Sequence, residues 1–159
     1  MALTSKEVYA KVRERFPDAV VSVEEVPGDP YCVLKPDALV EVCRYLKTDS
    51  ELQFDLCSCV SGVDDGKDLW VVYHLYSIPR NHRAVFKVNA GGRENPAVPS
   101  VTSVWKTADW HERETYDMYG IVFEGHPDLR RILLPEDWPG WPLRKDYEFP
   151  DEYQGIPLK

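Results

Sequence analysis

Apolar residues that recur at helical spacing predict two helices in the first third of the chain. Thr4 and Glu7 have the spacing of a capping box, so the first helix is predicted to begin there and to end before Pro17. A second helix is predicted to begin at Pro36. Its apolar stripe consists of Leu39, Val42, Cys43 and Leu46. The elements predicted between the two helices are strands over residues 19–26 and 31–34.

Apolar, β-prone runs predict a block of strands in the middle of the chain. These strands are predicted over residues 54–63, 69–78 and 83–90. Asp65 and Gly66 supply the hairpin signal between the first two of them. The residues that follow are predicted to form a loop over 91–99, a short helix over 100–105 and a longer helix that ends at Gly120. This order predicts an α+β fold, a two-layer sandwich in which a mostly antiparallel sheet carries helices on one face.

The last part of the chain differs in composition, and its prolines predict an extended, proline-rich C-terminal arm. Residues 126–159 hold six of the 13 prolines, which forbid long helices and central strands. We therefore divide the chain into an α+β domain over residues 1–125 and an arm over residues 126–159. The arm is expected to pack on its own domain as far as Leu134 and then to run over a partner subunit. Arg144, Lys145 and Asp146 are expected to provide the polar contacts that make the binding of this partner specific.

Composition and charge exclude several classes of partner. The chain has 159 residues, and its 27 acidic and 19 basic residues give a net charge of −8. This balance argues against nucleic-acid binding and against a polybasic membrane anchor. The longest runs without a charged residue have 11 residues, against the ~20 that a membrane-spanning helix needs. The N-terminus lacks an apolar signal core, so the chain is expected to remain in the cytosol.

The cysteines and the known catalytic motifs give no active site of the chain's own. Cys32, Cys43, Cys57 and Cys59 form no CxxC pair, which favours buried, reduced thiols over a metal or iron–sulfur site or exposed thiols. Cys57 and Cys59 are predicted to share one face of a strand. Glycine patterns of dinucleotide or phosphate loops are missing, as is a nucleophile elbow. The run that begins at His111 resembles a zinc-protease motif but has Thr115 where a second histidine is required.

The predicted helix before Gly120 carries carboxylates on two opposite faces. Glu112 lies in the stripe from Trp105 to Tyr119, so it is expected to be buried and to meet Arg130 or Arg131. Glu114 lies on the opposite face, where it is either buried with a cationic partner or part of a solvated helix surface. Arg113 lies beside the stripe, and it is expected to pair at the surface with Asp109 and Asp117.

Three runs in the last third of the chain closely resemble the signature of the 30 kDa subunit of respiratory complex I, known in bacteria as the C subunit of NADH–quinone oxidoreductase. They cover residues 112–121, 126–133 and 138–147. The signature residues that we take as candidate interface positions are Glu112, Arg113, Glu114, Asp117, Gly120, His126, Pro127, Arg130, Arg131, Trp138, Gly140, Arg144, Lys145 and Asp146.

The resemblance implies a peripheral-arm subunit of a proton-translocating NADH–quinone oxidoreductase, on the cytoplasmic side of the inner membrane. It implies that this chain binds no cofactor and has no catalytic or metal-binding residues, because FMN and the iron–sulfur clusters belong to other subunits. The partners it implies are the 49 kDa-type subunit and the subunit that carries the terminal cluster. The alternatives are the equivalent subunit of a ferredoxin-, F420- or hydrogenase-linked membrane complex, or a stand-alone enzyme with an unrecognised site.

Overall fold

The capping box predicted at Thr4 is present and begins the first helix. In the computed structural model, which describes residues 2–158, Glu7 N donates to Thr4 Oγ1 at 3.3 Å and Thr4 N donates to Glu7 Oε2 at 2.7 Å. The helices are α1 (Ser5–Arg15), α2 (Leu39–Thr48) and α3 (Ala108–Tyr119). The strands are β1 (Val20–Glu24), β2 (Tyr31–Leu34), β3 (Leu56–Asp64), β4 (Leu69–Ser77), β5 (His82–Gly91), β6 (Ala97–Pro99), β7 (Val122–Glu124), β8 (Glu152–Tyr153) and β9 (Ile156–Pro157).

The main sheet has five strands in the order β1-β2-β5-β4-β3. Its neighbouring strands are antiparallel except for β2 and β5, which are parallel and therefore need the long crossover through α2, β3 and β4. The other sheets are pairs, β6 with β7 in parallel and β8 with β9 in an antiparallel hairpin. This is the predicted α+β fold with a mostly antiparallel sheet, and the prediction is confirmed.

The hydrophobic core lies between the helices and one face of this sheet. The predicted stripe of α2 is buried, and it joins Val8, Tyr9 and Val12 of α1. The sheet contributes alternate residues, such as Val71, Tyr73 and Leu75 of β4, because successive side chains of a strand point to opposite faces. The intervening β4 residues face the side of the sheet that carries no helix.

The segment before α3 differs from the prediction. Residues 97–99, predicted as loop, form β6, and residues 100–105 form turns instead of a short helix. The Ser100 hydroxyl donates to Glu112 at 2.6 Å, and the Ser100 amide donates to the Glu124 carbonyl at 2.8 Å. The hydroxyl also accepts the Thr102 amide at 3.2 Å, so Ser100 makes a local turn while it is tied to α3 and β7 by long-range bonds.

The cysteine prediction is confirmed for burial and wrong for the shared strand face. Cys32, Cys43 and Cys57 are buried, Cys59 is half-buried, and all of them are reduced. The pairing of β3 with β4 shifts register between Cys57 and Cys59, so a β-bulge at Ser58 interrupts the two-residue repeat. Such a bulge depends on the partner strand and leaves no clear trace in the sequence.

The arm (residues 126–158 of the described chain) is a series of turns that ends in the β8–β9 hairpin. An aromatic cluster holds its second half together. Trp138 is in ring contact with Phe149 and Tyr153, at centroid distances of 6.1 and 4.9 Å, and its Nε1 donates to the Tyr147 hydroxyl at 3.0 Å. The arm therefore has a small core of its own.

Candidate functional site

Several of the signature residues meet where the arm crosses the end of α3. Gly120 ends the helix in the left-handed conformation, with a φ of 70°, as its position after the last apolar residue predicts. A Cβ atom at Gly120 would lie 2.5 Å from the indole ring of Trp141. Only glycine therefore allows both the helix end and the close approach of the arm.

Trp141 is the apolar contact of the arm with α3. Its ring packs edge-on against Tyr116 of the helix, with a centroid distance of 5.3 Å. The guanidinium carbon of Arg131 lies 4.4 Å from its ring centroid on another side. Trp141 thus links the helix to two separate parts of the arm.

Asp117 is the polar centre of this contact. Its side chain is fully buried, and one carboxylate oxygen accepts the amides of Ile132, Leu133 and Leu134 at 3.0, 2.7 and 3.0 Å. The other oxygen accepts Nη1 of Arg131 at 3.2 Å, and Nη2 of that arginine donates to the Gly140 carbonyl at 2.9 Å. Asp117 therefore folds the first turn of the arm around a buried charge.

Glu112 is buried, as predicted, but no arginine meets it. Its carboxylate accepts the Ser100 hydroxyl at 2.6 Å and the Val101 amide at 2.8 Å, and the side chain is fully buried. The prediction of an Arg130 or Arg131 partner is wrong, because the arm passes α3 on the Asp117 side. Burial raises the pKa of Glu112 to about 7, although the hydrogen bonds from Ser100 and Val101 act in the opposite direction.

His126, the first residue of the arm, lies beside Glu112. Its side chain is fully buried, and its Nε2 lies 3.2 Å from the Asp109 carbonyl, 3.6 Å from the Asp109 carboxylate and 4.0 Å from the Glu112 carboxylate. Its Nδ1 accepts the Asp128 amide at 3.0 Å, which leaves the proton of the neutral ring on Nε2. Pro127, next in the chain, is exposed.

The remaining signature residues of α3 and of the first turn of the arm are divided between interior and surface. Arg113 was expected to pair with Asp109 and Asp117 at the surface, and this prediction is wrong, because Arg113 is buried. Its guanidinium lies 4.8 Å from the Trp110 ring centroid, and its Nε lies 3.4 Å from the Arg130 carbonyl. Glu114 is exposed, which is the solvated alternative for this face. Within residues 2–158, the exposed side chain of Arg130 forms an ion pair with Asp128 alone, at 2.8 Å.

The second half of the arm returns to the domain through its polar residues. Arg144 donates to the carbonyls of Tyr119 and Arg93, at 2.6 and 2.8 Å. The Lys145 amide donates to the buried carboxylate of Asp64 at 2.8 Å. The expectation that the arm leaves its own domain after Leu134 is therefore wrong for residues 141–146.

Arg93 joins this anchor from the loop after β5. It donates to Asp64 at 2.8 Å and to Asp146 at 2.6 Å. Burial opposes the charge of Asp64, but the hydrogen bonds from the Lys145 and Gly66 amides and from Arg93 outweigh it and lower its pKa. Neither Asp64 nor Arg93 was predicted as a site residue, because their partners lie far away in the chain.

We expect Arg144→Ala to loosen the arm while the domain remains folded. The guanidinium makes two charge-assisted bonds to carbonyl groups, and such bonds contribute about 1.5–3 kcal/mol to stability. Urea unfolding and limited proteolysis of the arm measure the effect. Arg130→Ala is the matched control, since its exposed side chain pairs with Asp128. Equal proteolysis of both variants would contradict the assigned role of Arg144.

The site is an assembly of structural contacts. Within residues 2–158, no group of three His, Cys, Asp or Glu side chains is placed to hold a metal ion. The same part of the chain contains no helix that is both long and apolar enough to cross a membrane. The arm carries exposed apolar side chains, since Leu133, Leu143 and Ile156 are 61%, 53% and 63% exposed.

The comparisons with known proteins agree with this architecture. The sequence pattern of the family described as the respiratory-chain NADH dehydrogenase 30 kDa subunit matches residues 32–153, and the chain therefore belongs to this family. The resemblance predicted from the signature is confirmed. The match includes all of the signature residues that surround α3 and the arm.

Similar proteins are named as the C subunit of NADH-quinone oxidoreductase. One from Chloroherpeton thalassium is 47% identical over 93% of this chain and 62% of its own length. One from Roseiflexus castenholzii is 47% identical over 92% of this chain and 85% of its own length. A solved chain from the membrane-bound sulfane sulfur reductase, an archaeal respiratory membrane complex, shares the fold with a TM-score of 0.73 and 23% identity, over 90% of this chain and 85% of that one.

Proposed function

We propose that this chain is a peripheral-arm subunit of a proton-translocating NADH–quinone oxidoreductase and that it binds no cofactor itself. In this role it supports the subunits through which electrons pass from NADH, by FMN and iron–sulfur clusters, to quinone. Its partners are the 49 kDa-type subunit and the subunit with the terminal cluster, on the cytoplasmic side of the inner membrane. Family membership and the names of the relatives support this assignment.

The observation that carries the proposal is that several apolar side chains of the anchored arm are exposed to solvent. Leu133, Leu143, Phe149 and Ile156 are each about half exposed or more, between 49% and 63%. Asp117, Trp141 and Arg144 already hold the arm to its own domain, so the exposed parts of Leu133, Leu143 and Ile156 are not needed for that attachment. Contiguous exposed apolar patches on small proteins mark surfaces that bind other proteins, and we infer that these side chains form part of such a surface.

Co-purification of the tagged chain with the 49 kDa-type subunit tests the proposal. Leu133→Glu should reduce recovery of the partner about tenfold or more, because a charge would enter an apolar contact. Its melting temperature should stay near that of the wild type, since the side chain is 61% exposed. Ile78→Glu is the matched control: Ile78 is 63% exposed at the turn after β4, away from the arm. A wild-type chain that recovers no partner, or that holds stoichiometric iron or flavin, would contradict the proposal.

A further inference from the structure

Strand β3 and helix α3 enclose a groove at the edge of the main sheet. β3 is the last strand of that sheet, so one side of its backbone is unpaired within residues 2–158. Before α3 begins, Thr107 Oγ1 donates to the Cys57 carbonyl at 3.2 Å, and at the other end the Tyr119 ring covers Gly62. The helix therefore runs alongside β3 in the same direction, and the groove between them has a volume of 270 Å³.

The groove has a backbone floor and a side-chain wall. The floor is the stretch Cys59–Gly62, whose small side chains leave the edge of the strand accessible. The wall is one face of α3, formed by His111, Glu114, Thr115 and Met118 at helical spacing. Leu143 of the arm, 53% exposed, closes the end near Gly62.

This edge lacks the features that keep natural edge strands from pairing with other chains. Such features are lysine or other charged side chains, proline and bulges. The bulge of β3 lies at Ser58, before the groove begins, and the stretch 59–63 contains neither a charged residue nor a proline. The sequence of this stretch therefore does not prevent pairing with another extended segment, and the groove beside α3 leaves the space for one.

We propose that the groove receives an extended segment of another subunit, which adds a sixth strand to the sheet beside β3. This inference rests on the proposed function, in which the chain is part of an assembly. An added strand would pair its backbone with Cys59–Gly62 and place alternate side chains against α3, as in recognition by β-strand addition. The neighbouring apolar arm would extend the same interface.

The wall of the groove defines the chemistry of that segment. The Glu114 carboxylate is exposed in the middle of the wall and favours a lysine or arginine. Met118 and Leu143 favour an apolar residue at the end of the groove. Glu114 and Met118 are separated by a rise of about 6 Å along the helix, close to the ~6.8 Å between alternate residues of a strand. The segment therefore carries a basic and an apolar residue two positions apart.

His111 supplies a second polar position at the other end of the wall. Its Nδ1 atom is buried and has no hydrogen-bond partner in the described part of the chain. Buried polar atoms are normally paired, so a small rotation of the ring that brings this atom to a donor of the incoming segment would complete it. A second copy of this chain fits the groove poorly, because its own stretch 59–63 carries no basic residue to meet Glu114.

Hydrogen exchange of the chain, alone and in the assembled complex, tests the inference. Amides of residues 59–62 that point away from β4 should exchange about tenfold or more slowly in the complex, because a new ladder must open first. Cys59, half-buried when alone, should react with N-ethylmaleimide in the free chain and resist it in the complex. The buried Cys32, Cys43 and Cys57 are internal controls that stay unreactive in both states.

A charge reversal tests the chemistry of the segment. Glu114→Lys should reduce recovery of the chain in the complex about tenfold, the effect of one lost and reversed charge pair. Glu14→Lys, at an exposed glutamate of α1 outside the groove, should leave recovery unchanged.

Three outcomes of these experiments would contradict the inference. An intact complex in which residues 59–62 exchange as in the free chain would overturn this inference alone. If the free chain forms a dimer in which the amides of residues 59–62 are protected from exchange, the groove binds a second copy of this chain, and the inference is overturned as well. Failure to recover any complex would overturn the proposed function and this inference with it.

Discussion

Asp117→Ala should lower the free energy of unfolding by about 3–5 kcal/mol, the usual cost of removing one partner of a buried ion pair. The substitution would leave three backbone amides and the Arg131 guanidinium without their buried acceptor. We expect the first turn of the arm, residues 131–134, to unfold first, because every one of these donors lies there. Urea denaturation gives the free energy, and proteolysis gives the site of opening.

Two further variants separate the charge of Asp117 from its shape. Asp117→Asn keeps one acceptor oxygen, so it should lose less stability than Asp117→Ala but should still weaken the Arg131 contact. Asp128→Ala is the control, since Asp128 is an exposed carboxylate of the same arm that pairs with Arg130. Stability of Asp117→Ala equal to that of the control would refute the assigned role of Asp117.

Glu112→Gln should make the protein more stable than the wild type above pH 7. The folded-state pKa of Glu112 is raised from 4.5 to about 7 by burial, so the fold favours the protonated carboxyl. The stability that this group contributes is fully present below pH 4.5 and is lost as the pH rises through 7. The loss is about 3 kcal/mol at most, from the pKa difference between the unfolded and folded states.

The difference in the free energy of unfolding between the wild type and Glu112→Gln isolates the contribution of Glu112. Free energies of unfolding of the wild type and Glu112→Gln should diverge between pH 4.5 and 7, with the wild type falling relative to the variant. Glu114→Gln, on the exposed face of the same helix, should follow the wild type at every pH. Parallel pH profiles of Glu112→Gln and the wild type would show that Glu112 titrates normally.

Features with local causes were predictable from the sequence. The capping box of α1, strand β2 and the helix end at Gly120 all follow from residues within one turn of the feature. The burial of Glu112 was predictable for the same reason, since the helical repeat places it among aromatic residues. These elements need no knowledge of what packs against them.

The partners of the buried charges were not predictable in this way. Arg131 could reach either face of α3 from its position in the sequence, and the path of the arm decides in favour of Asp117. The same is true of Ser100, whose hydroxyl binds Glu112 instead of beginning a helix, and of Asp64, which accepts an amide 81 residues away. A single sequence shows which groups need a partner but not which partner comes within reach.

The bond between Asp64 and Lys145 also has a consequence for the order of events during protein synthesis. The ribosome makes β3 long before the arm, at roughly 5–20 residues per second, so the Asp64 carboxylate spends several seconds without the Lys145 amide that later binds it. Until residue 145 has emerged, this carboxylate has Gly66 and Arg93 as its partners and lacks the bond that ties the arm to the end of β3. Attachment of the second half of the arm to the domain, and with it presentation of the arm to other subunits, therefore waits for the synthesis of residue 145.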